Sequence, residues 1–244
     1  MVDVSATMAL ILRELSPGNG SGLLGGDPLT CARVLGVDGI AVSLGTDEAL
    51  TELVWSTPGC SAALEDVQCT LGEGPGLDSY RHSTSIAVPD VERADPYRWP
   101  VFLPEAGHLG VRALFCFPLN LGAVSLGVLT AQRGNPAPLD ADQTNDAFVL
   151  AAAITSALIQ GKGRRESFAQ AEPPTALHRA AVHQAVGIIS VQADISLTEA
   201  MALLRAHAYR GGRPLLEAAE DVVSRRLHFR NNRDGTATPS WNKD

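Results

Sequence analysis

Aromatic residues make up only 5% of this 244-residue chain, cysteines number four, and no apolar run reaches 18 residues. The last shortage leaves nothing of the length a membrane-spanning helix needs. Cys31, Cys60, Cys69 and Cys116 are scattered and form no CxxC pair, which argues against zinc-ribbon and thioredoxin-like chemistry and for reduced thiols in a cytoplasmic protein. His82, His108, His178, His183, His207 and His228 show no metal-ligand spacing. GxSxG and HExxH motifs are missing too. The glycine-rich Leu71–Gly76 stretch is not followed by the lysine and hydroxyl residue of a phosphate loop, so a turn at the mouth of a pocket is expected there. At the N-terminus, Asp3 precedes the apolar residues without a basic region or cleavage site, so Met8 to Leu15 reads as a short amphipathic helix. The expectation from these absences is a cytoplasmic non-enzyme with no metal and no cofactor.

What is present suits a globular protein, with 45% hydrophobic and 19% charged residues. The net charge of −8 is unevenly shared. Residues 1–160 carry 7 Lys/Arg against 18 Asp/Glu, and residues 161–244 carry 12 against 9. A mildly basic C-terminal part behind an acidic body hints at a polyanionic partner.

Periodicity divides the chain around Gly161 to Pro174, where charges, glycine and a proline pair interrupt two apolar-patterned regions. Ahead of that break, a helix from Asp27-Pro28 to Leu35 is followed by strands at Val37–Leu44, Glu52–Trp55 and Ser85–Val88. Two longer strands, Val111–Leu121 and Ala123–Gln132, meet at Gly122, and an alanine-rich helix runs from Asp140 to Gln160. The fold class expected is α+β, an antiparallel sheet flanked by helices. After the break, three amphipathic helices form a compact bundle. The first covers Ala176 to Val191. The second opens on the capping box Ser196-x-x-Glu199 and ends at Gly211-Gly212. The third starts at Pro214. Residues 161–175 are expected to be a linker and 231–244 a disordered tail.

The C-terminal pattern resembles the ANTAR domain, the RNA-binding module of bacterial transcription antiterminators. The carrying residues are Leu177-x-Arg179, Val182-His-Gln184-Ala185-x-Gly187-Ile188, Ser196-x-x-Glu199-Ala200, Leu203-Leu204-Arg205-x-x-Ala208 and Arg213-x-Leu215, with Ala219 and Val222-Val223. The family usually has lysine where Val186 stands and asparagine where Gly212 stands. The first 160 residues are similar to a GAF domain, which precedes ANTAR in actinobacterial proteins. That similarity lies in Leu71–Asp78, Val88-Pro-Asp90, Trp99-Pro-x-Phe102 and Gly110-Val-Arg-Ala113. The paired resemblance implies a signal-responsive antiterminator with a GAF sensor at 1–160 and an RNA-binding domain at 176–230. Its implied partners are stem-loops in nascent leader transcripts, a second copy of the chain through the Asp140–Gln160 helix, and a small molecule in the sensor.

From the resemblance, RNA contacts are expected at Arg179, Gln184, Ala185, Gly187, Arg205, Ala208 and Arg213, and a sensor pocket at Tyr80, Trp99, Phe102 and Phe115. Arginine pairs with phosphate and stacks on unpaired bases. A solvated helix face explains any single arginine as well, and close helix packing explains the small residues. Two other classes remain open on the residues alone. One is a GAF-fold redox enzyme of the sulfoxide-reductase kind using the cysteines. The other is a DNA-binding regulator using the three helices.

Overall fold

The computed structural model describes residues 5–14, 26–46, 49–161, 174–231 and 237–241. The chain divides into two compact units, Met1–Glu172 and Pro173–Asp244.

In the first unit, helices α1 (Ala6–Glu14) and α2 (Pro28–Leu35) lead into a five-stranded antiparallel sheet. Its strands are β1 (Gly39–Thr46), β2 (Ala49–Ser56), β3 (Ile86–Val88), β4 (Ala113–Leu121) and β5 (Val124–Arg133), in the spatial order β2-β1-β5-β4-β3. Between β2 and β4 the chain forms α3 (Cys60–Leu71), α4 (Pro75–His82) and α5 (Phe102–His108), and after β5 comes α6 (Ala141–Gly161). The α+β class is as read from the sequence.

Strand alternation sends β4 side chains to opposite faces. Ala113, Phe115, Phe117 and Leu119 join α1, α2 and α6 in one core. Leu114 packs with Trp99, Phe102 and Leu64, and Cys116 packs with Tyr80 and Leu77. Helix α6 therefore caps the sheet of its own chain, burying Ala147, Leu150, Ala151, Ile154, Ala157 and Leu158. Asp146 on this helix accepts hydrogen bonds from the Ser5 amide (3.2 Å) and hydroxyl (2.6 Å), tying α1 to it.

The glycine-rich segment expected as a pocket loop is instead a corner between two helices. Gly72 caps α3 in the left-handed conformation, and Pro75 occupies the first turn of α4. Gly74, at φ 140°, sits so close to Gln68 that a Cβ would lie 2.5 Å from its Oε1. That oxygen accepts the Gly76 amide at 2.7 Å. The pocket-loop reading is corrected on this packing.

The second unit contains α7 (Pro174–Ala193), α8 (Leu197–Arg210) and α9 (Leu215–Val223), followed by strands β6 (Leu227–Asn231) and β7 (Ala237–Trp241). The capping box forms as read: the Ser196 hydroxyl accepts the Glu199 amide, and the Glu199 carboxylate accepts the Ser196 amide. The expectation of a structureless tail from 231 onward is corrected for Ala237–Trp241, which pairs antiparallel with Leu227–Asn231. Leu227 and Phe229 supply the reason, because both are buried where β6 packs on α7 and α9. Gln192 of α7 closes the outer edge of β6, its Oε1 accepting the Phe229 amide at 3.0 Å while its amide nitrogen lies 3.2 Å from His228 Nδ1. No single helix among the described residues is long and apolar enough to cross a membrane.

Candidate nucleic-acid interface

The helical unit owes its geometry to small residues at crossings. Ala185 and Val186 on α7, Ala200, Leu204 and Ala208 on α8, and Leu215, Ala218, Ala219 and Val222 on α9 are buried together in this unit. The expectation that Ala185 and Ala208 touch RNA is thereby corrected, because both are covered by neighbouring helices and present no surface. Val186 stands at a buried position, where a lysine would need its ammonium led out to water. Gly212 takes φ +59°, a left-handed conformation that glycine and asparagine both tolerate. The exchange at 212 therefore leaves the turn between α8 and α9 unchanged in shape.

Four of the expected contacts, Gln184, Gly187, Arg205 and Arg213, remain at least partly exposed. Gln184 is exposed on α7, and a Cβ built on Gly187 meets no atom within 4 Å, so the helix presents bare backbone there. Arg205 is half-buried, and its Nε–H is buried without an acceptor. A buried donor left unmade costs about 1–3 kcal/mol. The side chain of Arg179 lies outside the described residues.

Arg213 has a second task. Its Nη1 donates to Asp221 Oδ2 at 2.8 Å and its Nε to Glu217 Oε2 at 3.2 Å. Asp221 is itself buried, and its other oxygen accepts Arg226 Nε at 2.8 Å. Burial alone pushes the Asp221 carboxyl up, but hydrogen bonds from Arg213 and Arg226 outweigh it and hold the group below the usual aspartate range. The same bond to Asp221, with that to Glu217, holds Arg213 protonated still more firmly than usual. Nearby, burial pulls the His207 imidazole below its ordinary value, reinforced by Arg210 and Arg213. Its ring stands edge-on to Phe229, with centroids 5.8 Å apart.

The four aromatic residues expected to line a sensor pocket do not converge. Phe115 points to the α6 face of the sheet, while Tyr80 belongs to the α4 cluster and Trp99 and Phe102 to the α5 cluster. Of the four, only Trp99 borders an open groove of about 600 Å³ beside β3, with Arg98 stacked on its ring at 4.3 Å. Ser43, Glu65 and Gln68 fill the space between β1 and α3 with their own hydrogen bonds, at 2.6 Å and 3.0 Å. Cys60 and Cys69 lie nine positions apart on α3, about 13 Å along its axis, beyond disulfide reach. Burial drives the Cys116 thiol far above its ordinary range, where it holds its proton. Among the described residues no three His, Cys, Asp or Glu side chains are grouped to hold a metal.

The ANTAR family model matches residues 175–223, spanning α7, α8 and α9. The C-terminal unit carries an ANTAR domain. Curated proteins give no match to the chain. Among solved structures, the chain is similar to the GAF domain of a phosphoenolpyruvate-protein phosphotransferase from Acinetobacter, at 13% identity and a TM-score of 0.49, over 65% of this chain and 93% of that one. It is similar to the corresponding GAF domain from Coxiella burnetii at 16% identity and a TM-score of 0.49, covering 65% and 96%. The type II free methionine-R-sulfoxide reductase of Thermoplasma acidophilum is similar at 12% identity and a TM-score of 0.43, covering 55% and 89%. The hairpin β6–β7 lies outside the ANTAR match.

Proposed function

We propose that this protein is a signal-responsive transcription antiterminator. In it, residues 1–160 act as a GAF-type sensor and residues 176–230 bind stem-loops in nascent RNA, stabilising an antiterminator hairpin over a terminator. The ANTAR match over α7–α9 carries the reading. The positive balance of residues 161–244 and the partly exposed position of Arg205 on α8 support it. Arg179, Arg205 and Arg213, flanked by Gln184 and Gly187, contact phosphates and unstacked loop bases, the part of RNA whose edges are open to side chains.

Two copies act together in the cytoplasm. The stripe left on α6 after its inner face is buried comprises Phe148, Ala152, Ser156 and Ile159, and Phe148 is 46% exposed. Spacing of four, four and three places these residues on one face, suited to a matching helix. A sensed molecule of the first unit would enter beside β3, in the groove bordered by Trp99. A mobility shift of the purified chain against leader transcripts tests RNA binding. The wild type should retard some leaders and Arg205→Ala should retard them about 5- to 150-fold less tightly, the equivalent of losing one stacked base. Failure of every leader to shift would reject the reading.

A further inference from the structure

The ANTAR match ends at residue 223, yet the ion-pair network of its last helix continues past it. We propose that Arg226 and Arg213 form one phosphate-binding pair, with Asp221 as the positioning residue that sets the two guanidiniums side by side. The inference rests on the RNA-binding reading and extends its surface to the turn joining α9 to β6.

The geometry begins with Asp221, whose side chain is only 6% exposed. One oxygen takes Arg213 Nη1 and the other takes Arg226 Nε and Nη2. The backbone reinforces this arrangement, with the Arg226 amide donating to the Asp221 carbonyl at 2.8 Å across a turn in which Arg225 adopts φ +62°. Both arginines are thus fixed at their inner edges. The Arg226 Nη1 keeps its two N–H groups for another acceptor, and its side chain is 61% exposed. Arg213 keeps its Nη2 and is 34% exposed. A rigidly held guanidinium has less freedom to lose when it forms a further bond, so the anchoring favours a second acceptor.

Two cations around one carboxylate leave a unit of positive charge. Glu217, whose side chain is 53% exposed and holds Arg213 at 3.2 Å, offsets that charge until it is displaced. An exposed i,i+4 pair of this kind contributes little, whereas Asp221 is buried and clamped twice. An incoming phosphate therefore exchanges with Glu217 and leaves Asp221 in place. Phosphate is the matching anion because its oxygens accept parallel N–H groups from a planar fork. Arg226 is thereby a binding residue and Glu217 an occupant that RNA displaces.

The test uses the full chain and an RNA hairpin pair with randomised loops, selected on the wild-type protein. Affinity is read across a salt series for the wild type, Arg226→Ala, Arg226→Lys, Glu217→Gln and, as a charge control on α2 of the first unit, Arg33→Ala. Arg226→Ala should weaken binding about tenfold, the loss of one charged hydrogen bond, and lower the log–log salt slope by about 0.7, one phosphate on a single-stranded loop. Arg226→Lys should restore the slope but only part of the affinity. Glu217→Gln should tighten binding, an outcome that a purely structural network would not give. Arg33→Ala should change neither quantity. Wild-type affinity and slope in Arg226→Ala would overturn the proposal while leaving RNA binding intact. So would weaker binding with an unchanged slope, because that pattern marks a folding role alone. A wild-type chain that selects no RNA would instead remove the antiterminator reading, and this pair with it.

Discussion

Replacing Phe229 by alanine probes whether the hairpin beyond the ANTAR match is part of the domain's core. The ring is 1% exposed and packs edge-on against His207. Truncating a buried phenylalanine costs about 3–5 kcal/mol, cavity included, and an aromatic contact of this geometry contributes about 0.5–1.5 kcal/mol beyond its area. The hydrogen bond from the Phe229 amide to Gln192 survives the substitution, since it belongs to the backbone. A domain whose whole stability lies near 5–15 kcal/mol should therefore lose about a fifth or more of it. Hydrogen exchange on the full chain resolves the effect to this unit. In Phe229→Ala, amides of α7 and β6 should exchange about hundreds- to thousands-fold faster, while those of β4 and β5 in the first unit stay protected. A chain ending at Ser224 should show the same loss of protection in α7, more strongly. Wild-type protection of α7 in both variants would show that the three helices hold without the hairpin, and the packing argument would be wrong.

Other outcomes follow from particular contacts. Ser196→Ala removes the cap of α8 and should cost about 0.5–2 kcal/mol, visible as a lower denaturant midpoint for the C-terminal transition. Gly74→Ala places a Cβ against Gln68 at a backbone angle of φ 140° and should cost about 1–3 kcal/mol, with an unchanged thermal transition refuting it. The His207 value lies below the ordinary 6.5 in the folded chain. Its neutral form is thus favoured by folding, and stability is full above pH 6.5 and declines as pH falls from there to the folded value. His207→Gln should flatten that decline in melting curves, and an identical pH profile would exclude His207 as its source. Sedimentation should find a dimer at micromolar concentration that Phe148→Glu converts to monomer, whereas a monomeric wild type would remove α6 as a seam.

Legibility of the sequence varied with how its signals combine. The β4–β5 hairpin was readable because two apolar runs flank Gly122, which takes φ +60°. Helix α8 was readable because its cap motif and apolar stripe agree. Helix α3 escaped, since its buried face carries Ser61, Glu65 and Gln68 beside Leu64. Those polar residues erase the apolar period that would have announced a helix. The glycines and proline after it then read as a loop, although the same residues cap one helix and start the next. The closing hairpin was hidden because Leu227 and Phe229 make too short an alternation on β6 to separate from a polar tail.

At the interface, the motif named Arg205 and Arg213 by position, and the structure leaves both with N–H groups to offer. Alanine carries no sign of what covers it, so Ala185 and Ala208 read equally as helix packing or RNA approach. The sequence also carries a spacing signal. Arg213, Glu217 and Asp221 are spaced by four, which places both acids on the arginine's side of α9. That spacing foretells the network that extends the surface toward Arg226.

Transcription through a leader carrying an intrinsic terminator, selected for binding to the wild-type chain, tests the central claim most directly. Single-round transcription is run with increasing protein, and read-through is compared between the wild type and Arg205→Ala. Read-through should rise with wild-type concentration near its RNA dissociation constant, and Arg205→Ala should shift the rise to correspondingly higher concentration. Read-through that stays flat while the leader is fully bound would contradict the claim.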